Sequence, residues 1–82
     1  MNSRRFEAVL MMIVPRIVNL ISENMKCSEI EASKMLYASQ VYAMLEDEET
    51  KLWHLSPLML FTLFEQEKAT GSFTVPEEAY YE

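Results

Sequence analysis

Ser56-Pro57-Leu58-Met59-Leu60-Phe61-Thr62-Leu63-Phe64-Glu65-Gln66-Glu67-Lys68-Ala69-Thr70-Gly71 decides the fold. A serine at the N-cap accepts a hydrogen bond from one of the first unpaired amides of a helix. A proline at the first helical position loses nothing, because its missing N–H would be unpaired there anyway. The pair therefore starts a helix at Pro57. It runs to about Ala69, and Gly71 is the expected stop, since glycine takes the left-handed C-cap conformation without steric cost. Leu58, Met59, Leu60, Phe61, Leu63 and Phe64 point nearly all round this helix. Such a helix must be covered on several sides, by its own fold or by a copy of itself.

Upstream, Glu46-Asp47-Glu48-Glu49 reads as a solvated turn in which Asp47 caps the next residues with help from the helix dipole. A calcium loop needs alternating oxygen ligands and a glycine, and neither is present. Thr50 to Leu55 alternates loosely, with Leu52 and Trp53 as apolar anchors. Asp47 and Thr50 can close the turn by side-chain to backbone bonds. Tyr42 and Trp53 are large and rigid, and each needs a partner for its polar atom. Ser28-Glu29-Ile30-Glu31 matches a capping box, which starts another helix. Ala32, Met35, Leu36 and Ser39 share one face of it. The apolar stripe then moves to Val41, Met44 and Leu45. That shift predicts a break near Ser39, with Ser39 capping a short helix Gln40 to Glu46. One continuous helix on the stripe Ile30, Tyr37, Val41, Met44 and Leu45 is the alternative.

The first segment, Arg4 to Asn24, is an amphipathic helix with Phe6, Val9, Leu10, Ile13, Ile17, Leu20 and Ile21 on one stripe. Pro15 lies on the far side, where it removes one hydrogen bond and bends the helix. Two short helices broken at Val14 are the alternative. Ala8, Met11 and Met12 fall off the stripe, as a second apolar face would. Lys26 and Cys27 form the link. Downstream, Phe73 to Pro76 reads as a short extended piece, followed by an acidic end with Tyr80 and Tyr81. Pattern alone thus predicts an all-α fold. About four helices with short links form one domain over 1–72, with an extended or disordered tail over 73–82.

Eighty-two residues allow one domain with a thin core. One glycine and three prolines argue against a turn-rich β architecture. A single cysteine, Cys27, forms no internal disulfide and points to a reducing, cytoplasmic setting. The Arg4-Arg5 pair before Ala8–Val14 faintly resembles a secretory leader, but Glu7 intrudes and no small-residue cleavage site follows. That apolar run is far below the ~20 residues a bilayer span needs, so no membrane partner is expected. Net charge is −6. Residues 1–45 carry five Lys/Arg against four Asp/Glu. Residues 46–82 carry two against nine. Phosphate backbones repel such a surface, so no nucleic-acid partner is expected.

Chemistry finds little to stand on. His54 and Cys27 are each single of their kind, so no metal set with ligand spacing exists and no metal or other cofactor is expected. One glycine excludes a glycine-rich phosphate loop. A catalytic reading requires Cys27 and His54 to meet, and nothing in the pattern brings them together. A helix-turn-helix regulator requires one face to collect Arg4, Arg5, Arg16, Lys26 and Lys34. The helix after Ser28 sets Lys34 against Glu29 and Glu31, and the helix after Ser56 sets Lys68 against Glu65 and Glu67, which disfavours that alternative. Of seven methionines, six are internal. They suit gap-filling in a small core, or an adaptable groove for a partner's helix.

From Ser28 onward the chain resembles a group of small uncharacterised bacterial helical proteins that share a domain of unknown function. Their pattern is Ser-x-x-Tyr-x-x-Leu-x-Asp-x-x-Thr-x-Leu-Trp/Tyr, then Ser, then an apolar helix ending in Glu and Gly. Here Ser39, Tyr42, Leu45, Asp47, Thr50, Leu52, Trp53, Ser56, Glu67 and Gly71 carry it, over about half the chain. Some members sit beside ADP-ribosyltransferase-like genes, which implies an antitoxin-like or accessory role and no catalytic residue. Residues and resemblance together lead to one expectation: a cytoplasmic, bacterial, non-enzymatic protein-binding module, working as a homodimer or with a partner protein. Its interaction surface is Met11, Met12, Leu58, Met59 and Phe61. Its structural caps are Ser28, Glu31, Ser39, Asp47, Thr50 and Ser56.

Overall fold

The computed structural model describes residues 3–75. It is a small all-α bundle of four helices: α1 (Ser3–Met25), α2 (Glu29–Tyr37), α3 (Gln40–Leu45) and α4 (Pro57–Thr70). Two 3-10 turns, Glu48–Thr50 and Leu52–His54, connect α3 to α4. No strand occurs among the described residues.

Each boundary has a chemical cause. α1 runs unbroken through Pro15, so the two-helix alternative does not hold. It ends where Lys26 turns left-handed at φ 54°, and the Cys27 N–H donates back to the Ser22 carbonyl at 3.2 Å. The Ser22 hydroxyl donates to the Cys27 carbonyl at 2.6 Å and closes that corner. Ser28 caps α2 by accepting from the Glu31 N–H at 3.1 Å, and its hydroxyl donates to Glu31 Oε1 at 3.3 Å. The capping box is thus closed hydroxyl to carboxylate. Ser39 separates α2 from α3: its hydroxyl donates to the Leu36 carbonyl at 2.6 Å and accepts from the Tyr42 N–H at 3.1 Å. One continuous helix is excluded. Ser56 accepts from the Met59 N–H at 3.1 Å, and Gly71 ends α4 at φ 86°.

Thr50 to Leu55 departs from the loose alternation that the pattern suggests. Asp47 Oδ1 accepts from the Glu49 N–H at 3.0 Å, and Thr50 Oγ1 lies 2.6 Å from the Met44 carbonyl oxygen. Lys51 then turns left-handed at φ 60°, and the Trp53 indole N–H donates to the Glu48 carbonyl at 2.8 Å. These local bonds satisfy the backbone within tight turns, so no extended segment forms.

The core is formed by Ile17, Val18 and Ile21 of α1, Ala32 and Leu36 of α2, Val41 and Leu45 of α3, Leu52, and Leu60, Phe61, Leu63 and Phe64 of α4. α1 packs on both α2 and α4, and α3 packs on α4. Fully burying one such Leu, Ile or Phe side chain contributes about 1.5–3 kcal/mol. Phe6 is also buried and meets the Trp53 ring edge-on, 6.2 Å between centroids. Phe73 and Val75 pack against the core, and the Thr74 N–H donates to Gln66 Oε1 at 3.1 Å. The boundary expected after residue 72 therefore falls inside packed chain. The rest of the expected tail, 76–82, lies outside the described residues.

One long-range bond pair fastens the bundle. The Glu67 carboxylate, near the end of α4, accepts from the Gln40 N–H at 2.8 Å and from the Val41 N–H at 3.0 Å. It covers the start of α3 beside the cap that Ser39 supplies. Anionic oxygens on the first amides of a helix also meet the positive end of its dipole.

Candidate functional site: an apolar groove between helices

One side of α1 around Pro15 and the α2–α3 junction enclose an open groove of about 360 Å³, lined by Leu10, Met11, Val14, Pro15, Tyr37 and Tyr42. Its walls follow from the sequence. Pro15 has no N–H to donate to the Met11 carbonyl, one turn earlier on the same face. The Ser39 break turns the chain so that Tyr37, last in α2, and Tyr42, in α3, come together. Their rings meet edge to face, 4.8 Å apart at 63°. Neither hydroxyl has a hydrogen-bond partner among the described residues. Trp53 found the polar partner it was expected to need, and Tyr42 did not. Burial pushes the Tyr42 phenol above its ordinary value, with Glu46, one turn further on, and then Tyr37 adding to the shift.

Met11 is 77% exposed, and Met12, Leu58 and Met59 are exposed as well. Ile30 and Tyr37, not in the expected surface, are exposed too. Phe61 is a correction: only 4% of it is exposed, because α1 and α3 both cover α4 and enclose it in the core. Ser28, Glu31, Ser39, Asp47, Thr50 and Ser56 all take part in the capping and turn bonds given above. The pattern placed Tyr37 only on the inner stripe of the continuous helix that the Ser39 break excludes, and its groove neighbours lie on other elements.

Cys27 packs against the core in the α1–α2 corner. His54 stacks on Trp53 ahead of α4, with centroids 3.8 Å apart. Among the described residues no group of three or more His, Cys, Asp and Glu is placed to hold a metal ion. No helix among them is long and apolar enough to cross a membrane. Arg4, Arg5, Arg16, Lys26 and Lys34 are all exposed, spread from the start to the end of α1 and onto α2. Comparison with family models, with curated proteins and with solved structures finds no match.

Proposed function

We propose that the chain is a non-catalytic protein-interaction module that works as a homodimer. One observation carries this reading. Met11, Met12, Ile30, Tyr37, Leu58 and Met59 remain exposed after folding. Met11 and Met12 adjoin on α1 and Leu58 and Met59 adjoin on α4, so two helices each present an apolar step to solvent. Large apolar side chains held in solvent on so short a chain support the reading of a binding surface. The finer reading is a bacterial, cytoplasmic accessory or antitoxin-like protein, and only the resemblance of Ser39–Gly71 supports it.

Sedimentation equilibrium of the purified chain, with chemical crosslinking, tests the module. A dimer that dissociates on dilution is expected, and Met12→Lys together with Leu58→Lys weakens it. A monomer at all concentrations up to the millimolar range overturns the homodimer.

A further inference from the structure

We propose that Met11, Met12 and Met59 form an oxidation-sensitive surface, on which a hydroperoxide converts thioether to sulfoxide and so holds the chain in its unpaired form. The effect rests on the dimer reading above, and the site rests on exposure alone.

Six methionines lie among the described residues, and folding sorts them into two sets. Met25, Met35 and Met44 pack against the core. Met11 and Met12 stand exposed side by side on α1, at 77% and 66%, and Met59 is exposed in the first turn of α4. These methionines make up half of the large apolar side chains that folding leaves in solvent; Ile30, Tyr37 and Leu58 are the rest. A thioether reacts only where a peroxide oxygen reaches a sulfur lone pair. Packing therefore shields the first set and leaves the second open. In the step, the O–O bond of the hydroperoxide breaks and one of its oxygens forms the S–O bond. The other oxygen leaves as water or an alcohol. Sulfur gives up two electrons and the peroxide takes them. The product keeps the reach of the side chain but carries a polar acceptor where the tip was apolar. In solvent that oxygen stays hydrated and the fold is untouched. Pressed into an apolar contact it loses its water without gaining a donor, which weakens association. Peroxide meets these sulfurs in the free copy, so each oxidation withdraws a copy from the paired pool. Sulfoxides are reducible, so the change reverses.

Limited oxidation of the dilute chain with hydrogen peroxide tests it, in a Cys27→Ala background that removes the thiol. Peptide mass mapping is expected to find the added oxygen on Met11, Met12 and Met59 well before Met25, Met35 and Met44, with helical circular dichroism unchanged. The dimer dissociation constant of the oxidised chain, read by sedimentation, rises about tenfold or more, and methionine sulfoxide reductases bring it back. Met11→Leu, Met12→Leu and Met59→Leu together keep the surface apolar and leave a dimer indifferent to peroxide. Met12→Gln, with a polar tip of similar length, weakens the dimer without any oxidant. Oxidation that reaches the packed methionines equally fast overturns the site. A dimer that withstands the sulfoxides, or a leucine variant that still comes apart in peroxide, overturns the switch and leaves the dimer standing. A chain that is monomeric before oxidation removes the dimer reading and the switch together.

Discussion

Lys26 and Lys51 hold the left-handed backbone that glycine adopts freely, at φ 54° and 60°. A side chain there costs about 1 kcal/mol, from the clash of Cβ with the backbone. Lys26→Gly is therefore expected to stabilise the fold by about 0.5–1 kcal/mol, read from urea unfolding followed by Trp53 emission. Nothing in a lysine announces such a position. The caps at Ser28, Ser39, Asp47 and Ser56, by contrast, were legible, because a cap and the amide it binds lie two or three residues apart. Tyr42 gives a second residue-level expectation. Its folded-state pKa is raised, so its stabilising effect is complete below the ordinary tyrosine value of about 10 and is lost as pH climbs through the higher folded value. Tyr42→Phe should flatten the stability curve above pH ~10 and leave it unchanged at neutrality. A wild-type curve as flat as the variant's would contradict this.

At the level of elements, α3 has six residues, too few to persist alone, and two caps hold its first turn. One is its own Ser39, and the other arrives from Glu67 near the end of α4. Glu67→Ala leaves the Gln40 and Val41 amides without these bonds. It should cost about 1–3 kcal/mol in chemical denaturation. Glu67→Gln keeps one acceptor oxygen and should cost less. Equal losses for both would mean the carboxylate contributes only through its charge. Glu67 is plain in the sequence, but a bond spanning 26 or 27 residues leaves no periodic trace. The groove was hidden for the same reason: Tyr37, Tyr42 and Met11 share no element. Phe61 shows the opposite failure. On a helix apolar all round, pattern does not say which face stays open, and the packing of α1 and α3 against α4 decided it.

For the whole molecule, the all-α class followed from caps and stripes, while the count of four was settled only when α1 ran through Pro15 and Ser39 parted α2 from α3. The thin core of so short a chain makes its stability depend on what else binds it. If the native form is a pair, mass action ties unfolding to concentration. The melting temperature should then rise by several degrees over a hundredfold increase in protein, measured by scanning calorimetry. A constant melting temperature would argue for independent copies. Pro15 has one more consequence for the molecule's internal motions. It divides the first helix into an inner length anchored by Ile17, Val18 and Ile21 and an outer length in which only Phe6, among the described residues, counts as buried. With the ladder interrupted between them, the outer length can breathe while the inner one stays shut. In heavy water, amide protons from Phe6 to Val14 should exchange well before those from Ile17 to Asn24.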